Sequence, residues 1–240
     1  QRVRRPGGPP LRGDGPPGPL LSVSTRGRIG ILKAAVWVGA LAPAANLARG
    51  AWSGGLGADP VESLLQGTGT WALVLLLVTL AVTPIRRVTG WNAVIRVRRL
   101  LGLFSYFYAV LHVGVYVVLD QGLAPAFILE DVAERPWITA GAGAFLILTL
   151  LAGTSTRGWI RRLGRAWRRL HRAVYAAGGL VVLHALLQVK ADAREPLVFG
   201  AVFSALMLFR LPWRRVGRAL DRLRDRAGPG KASTSTASAG

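Results

Sequence analysis

Apolar residues in this chain fall into blocks of about 15 to 20, close to the roughly 20 residues a helix needs to span about 30 Å of hydrocarbon. Short arginine-rich runs separate them. Six segments stand out: Ile31–Ala48, Thr70–Thr83, Leu100–Leu119, Ile138–Gly153, Arg172–Val189 and Pro196–Leu211. The first contains Pro43 and Asn46. The second is short, and Pro84 is expected to end it, because proline lacks an N–H and disfavours helix before it. The fold class predicted is all-α: a polytopic membrane bundle of about six transmembrane helices over residues 29–213. Residues 1–28, rich in Pro, Gly and Arg, read as a disordered basic cytoplasmic tail, without the apolar core and cleavage site of a secretory signal. Residues 214–240 read as a second tail, basic and then low in complexity.

Charge adds an orientation. Of 31 Lys and Arg residues, 27 fall before or into segment one, between segments two and three, between four and five, or at the C-terminal end. The alternate loops hold only Arg49, Arg135, Lys190 and Arg194. The positive-inside rule then places both termini in the cytoplasm, with an even number of crossings. The net charge of +20 lies in these loops, so it speaks for a membrane surface and lipid rather than nucleic acid. Most acids, among them Asp59, Glu62, Asp120, Glu130, Asp131 and Glu134, fall on the outer side, where they leave an acidic face able to steer a partner. Trp71, Trp137 and Trp213 sit at predicted segment ends, as interfacial anchors do.

No Asp, Glu or Lys lies within segments two to six, and the chain has no cysteine. This excludes a buried acidic proton relay, thiolate ligation of haem, cysteine-ligated iron–sulfur clusters and disulfides. Imidazole remains. His112 and His184 each lie 12 residues past the start of an inward-to-outward segment, about 18 Å along each helix. Two imidazoles at one depth on two helices suit the axial positions of one haem. The bland alternative is that each histidine bonds a neighbouring helix. His171 precedes His184 by 13 residues, which on a straight helix turns the two side chains roughly 140° apart. Gly178-Gly179 offers a place to bend. His171 has no fourth histidine opposite it. Either it serves a second haem completed by water, another side chain or an open position, or it is an interfacial residue meeting a propionate or a quinone. Arg98, Arg99 and Arg172 are candidates for pairing propionates, or are plain topology determinants.

Several stretches carry a resemblance: Thr89-Gly90-Trp91-Asn92, Arg96 to Leu103, Leu111-His112, Asp120-Gln121-Gly122, Arg135-Pro136-Trp137-Ile138-Thr139, Thr154 to Trp159, Arg161 to Gly164, Trp167 to Arg172, and Leu183-His184. In order and spacing the chain resembles the MsrQ (YedZ) family, within the ferric-reductase-like transmembrane superfamily that includes NADPH oxidases. The likeness covers Thr68 to Ala191. It implies a multi-pass protein of the bacterial inner membrane with haem b, one or two, on His112, His184 and His171. The implied donor is the quinol pool or a cytoplasmic flavin reductase. The implied acceptor is a periplasmic molybdopterin-containing reductase that repairs oxidised methionine. FMN is implied by the resemblance alone. No Gly-x-Gly-x-x-Gly in a βαβ setting is present, so the chain is not expected to oxidise NADPH itself. The expected role is an electron-transfer subunit without catalytic residues of its own. Alternatives are a ferric or other metal reductase, or a non-redox scaffold or transporter.

Overall fold

A computed structural model describes residues 25–189 and 192–210. Residues 1–24 of the first expected tail, all of the second, Trp213 and the end of segment six lie outside the described residues, and the last four residues of the first tail, Thr25 to Arg28, are the start of α1. The described elements are all helical: α1 (Thr25–Ser53), α2 (Pro60–Thr89), α3 (Arg98–Val115), α4 (Pro125–Glu134), α5 (Pro136–Gly153), α6 (Arg157–Leu163), α7 (Arg165–Leu170), α8 (Ala173–Gln188) and α9 (Arg194–Leu208). A 3-10 turn, Asn92–Arg96, precedes α3, and a π turn, Tyr116–Asp120, follows it. Five stretches are long and apolar enough to cross a membrane: Gly27–Ser53, Pro60–Thr89, Arg98–Asp120, Pro136–Gly153 and Arg165–Gln188. The sixth expected span corresponds to α9, which runs only 15 described residues. The protein is a multi-pass helical membrane bundle.

α2 is its hub. Leu73, Leu75, Leu76, Leu77, Leu80 and Val82 are all buried, on several sides of the helix. One side packs against α1 and α3 through Ala40, Phe104 and Tyr108. Another meets α3, α5 and α8 through Leu76, Ala109, Leu148 and Ala177, and a third reaches Val182 and Phe203 of α8 and α9. The helices on the rim show Leu146, Leu150, Leu183 and Val198 outward, as lipid-facing surfaces do.

Pro84 does not end α2. The helix begins at Pro60, capped by Asp59, whose side chain accepts from Glu62 N at 2.9 Å. It runs through Pro84 to Thr89 and stops at Gly90, whose φ of 69° is left-handed and suits a residue without Cβ. Proline at 84 has no N–H for the Leu80 carbonyl. The guanidinium of Arg210 donates to that carbonyl instead, and donates to Tyr175 Oη at 2.5 Å. A neighbouring helix re-satisfying a freed backbone group is what permits proline inside a span. Trp71 is therefore mid-helix, against the α1–α3 core, and not at an end.

Pro43 inside α1 is also met from a neighbouring helix, at the rung next to the carbonyl it frees. Tyr108, fully buried on α3, donates its hydroxyl to Ala40 O at 2.6 Å and accepts from Ala44 N at 2.9 Å. The hydroxyl is thus inserted into the α1 ladder beside the proline.

Two connections hold helices that the apolar pattern does not predict. α4 lies between α3 and α5, with Asp131 buried beneath it. That carboxylate accepts from Tyr116 Oη at 2.9 Å and Gln121 Nε2 at 3.1 Å and pairs with Arg135 at 3.1 Å. Between α5 and α8, α6 and α7 are separated by Gly164 at φ 48°.

Candidate cofactor site

Two helix pairs make the site. α2 packs along α3, and α5 packs along α8, with one histidine on the second helix of each pair. His112 Nδ1 lies 3.0 Å from the carbonyl oxygen of Leu65 on α2. His184 Nδ1 lies 2.7 Å from the carbonyl oxygen of Trp137 on α5. A carbonyl can only accept, so both Nδ1 atoms carry the proton and both Nε2 atoms keep a free lone pair. The same arrangement orients histidine ligands around metals.

The two rings come together between the pairs. Their centroids are 6.1 Å apart, with planes at 79°. Two metal–nitrogen bonds of about 2 Å, with each nitrogen-to-ring-centre distance added, span about 6 Å, so the separation fits one metal atom shared by both imidazoles. Among the described residues, no group of three or more His, Asp or Glu gathers as a ligand set. Two imidazoles alone fit a metal whose remaining ligands come from a bound macrocycle. On this observation the residues present fit a haem.

His171 does not join this pair. It follows α7, before α8 begins at Ala173. The helix breaks at His171-Arg172 and not at Gly178-Gly179. Gly178 instead allows close packing, since a Cβ there would come 2.6 Å from the Phe203 ring. The His171 ring stacks on Trp167 at 3.9 Å, and its Nδ1 donates to Trp167 O at 3.2 Å. Its Nε2 is 3.3 Å from Ser155 Oγ, but the single proton of that hydroxyl has the Leu151 carbonyl at 2.7 Å. The same Leu151 carbonyl also lies within hydrogen-bonding reach of the His171 ring.

The candidate arginines divide. Arg98 is half-buried and within electrostatic reach of His171. Arg99 is exposed. Arg172 lines an open cavity of about 310 Å³ with Arg165, Arg168 and Arg169. None of the three contacts His112 or His184 through a hydrogen bond. What the sequence reading misses is the support of the two imidazoles: the Leu65 and Trp137 carbonyls, which carry no side-chain signal.

Residues 68–194 match the family described as ferric reductase like transmembrane component. The class is thus that of a transmembrane bundle carrying paired histidines. Over 198 residues the chain is 48% identical to the "protein-methionine-sulfoxide reductase heme-binding subunit MsrQ" of Bordetella pertussis, covering 80% of this chain and 95% of that protein. The protein of the same name from Xanthomonas axonopodis pv. citri is 46% identical over 190 residues, 77% of this chain and 87% of that one. The one from Xanthomonas campestris pv. campestris is 44% identical over 203 residues, 82% and 93%. The chain belongs to this transmembrane family and, within it, to the MsrQ proteins.

Proposed function

We propose that the chain is a b-type cytochrome of the bacterial inner membrane that passes electrons from the quinol pool, or from a cytoplasmic flavin reductase, to a periplasmic molybdopterin-containing methionine sulfoxide reductase. One observation carries the reading: two imidazoles from separate helix pairs face each other at 6.1 Å, each with Nδ1 tied to a carbonyl. The relatives' printed name, a heme-binding subunit of a methionine sulfoxide reductase, supports the partner. The arginine alternation supports cytoplasmic termini and six crossings, with α9 as the sixth.

His112 and His184 would hold the haem iron from its two faces. A bound haem supplies a one-electron Fe(III)/Fe(II) couple. The protein's part is to keep both rings in the Nδ1–H tautomer, so that Nε2 is the ligating atom, and to surround the site with apolar helices that exclude water. Arg98 and Arg99, at the start of α3, supply positive charge at the same end of the bundle as His171, suited to carboxylates of a bound group. His171, stacked on Trp167 and apart from the pair, would serve a second haem or meet a propionate or a quinone.

The test is the visible spectrum and the haem-to-protein ratio of the purified wild type and three variants. His112→Ala and His184→Ala should each lose the low-spin Soret and α bands, and His171→Ala should keep them. Unshifted bands at full stoichiometry in both of the first two would overturn the pairing. A quinol analogue should reduce the wild-type bands, and the periplasmic reductase should reoxidise them.

A further inference from the structure

Each acceptor carbonyl stands four residues before a glycine: Leu65 before Gly69, and Trp137 before Gly141. In both cases the imidazole rests on that glycine. A Cβ on Gly69 would come 3.1 Å from both Nδ1 and Cε1 of His112. One on Gly141 would come 2.9 Å from Nδ1 of His184 and 3.2 Å from its Cε1. The two sets share one register, each member of the second lying 72 residues after its mate (65 and 137, 69 and 141, 112 and 184). α2–α3 and α5–α8 thus present the same device twice.

The physical reason lies in helix geometry. The carbonyl of residue i points toward the N–H of residue i+4, and the Cα–Cβ bond of i+4 tilts back toward the helix N-terminus. A side chain at i+4 therefore overhangs the carbonyl of i. Only a hydrogen there leaves the second lone pair of that oxygen open to a ring arriving from another helix. Nearby glycines do not share this property. A Cβ on Gly114, two residues past His112, meets nothing within 4 Å, and one on Gly143 meets only Leu180, at 3.6 Å.

We propose that Gly69 and Gly141 are positioning residues of the haem site, which set the tautomer and tilt of His112 and His184 by leaving the Leu65 and Trp137 carbonyls uncovered. This rests on the haem reading above. An alanine at either position pushes its imidazole off the carbonyl. The Nδ1–H bond weakens, the ring becomes a poorer electron donor to iron, and the reduced state gains relative to the oxidised one.

The experiment compares full-length wild type with G69A, G141A and G114A, purified in detergent. Helix content, haem-to-protein ratio, low-spin EPR signal and midpoint potential are read for each. With helix content unchanged, G141A should show an upward potential shift and an altered low-spin signal, with haem affinity down on the order of tenfold or more. G69A should move the same way by less, and G114A should match wild type. G141A with wild-type potential, signal and stoichiometry would overturn the proposal. If G141A loses helix content, G69A decides alone, and its silence overturns the proposal. A wild type that takes up no haem overturns the haem reading together with this one, whereas a haem-loaded wild type with silent glycine variants overturns this one only.

Discussion

The two helix pairs that bear His112 and His184 reach similar geometry by different means. α2 and α3 are joined by polar crossings. Ser105 donates to the Ala72 carbonyl at 2.8 Å, and Tyr108 extends the network to α1. α5 and α8 meet through small residues, with Ala140, Ala144 and Ala177 buried. Among the described residues, the His184 contact is the one side-chain hydrogen bond linking α5 to α8. Lipid tails are as apolar as leucine, so association of spans rests on close packing and interhelical hydrogen bonds. The first pair leans on the second of these, and the second pair on the first. The lesson is that the same ligand position can be equally well aimed yet unequally supported.

Substitutions that separate these two modes should follow in order of size. Ala144→Leu, in the buried small-residue seam where α5 meets α8, should overpack that seam and cost about 1–3 kcal/mol in thermal or denaturant unfolding in detergent. Gly102→Ala on α3, where a Cβ meets only Thr79 at 3.6 Å, should be tolerated. Equal losses at both sites would erase the distinction. Next, in haem-free protein, His184→Ala should lower stability by about 0.6 to 1.7 kcal/mol. His112→Ala should cost less, because Ser105 still pins α3 to α2. The reverse order would show that small-residue packing alone holds the second pair. Smallest, Ser105→Ala should cost about 0.6 kcal/mol, the average for an interhelical hydrogen bond in lipid. It should leave the haem spectrum unchanged, since His112 keeps its own carbonyl.

Much of this was open to reading in the residues. Apolar block length places the long helices, because hydrocarbon thickness dictates it. The matched depth of His112 and His184 anticipates their meeting, since rise per residue is constant. Other features depend on partners distant in the chain. Pro84 ends a helix only if nothing replaces its missing donor, and Arg210 replaces it. The break before α8 falls at His171-Arg172, where Arg172 N turns to the Arg169 carbonyl and Tyr175 N to the Arg172 carbonyl, a local tightening that apolar spacing does not announce. α4 and α7 are too short for apolar spacing to mark them. The roles of Gly69 and Gly141 arise only once the register between paired helices is known.

The hand-over of the Leu80 carbonyl to Arg210 has a consequence for biosynthesis. While the ribosome is still producing the later spans, α2 already lies in the bilayer with an oxygen that no residue of its own helix can serve. Such a group in hydrocarbon costs several kcal/mol. A chain cut short before residue 210 would keep this defect, because the donor that serves the Leu80 carbonyl would be missing.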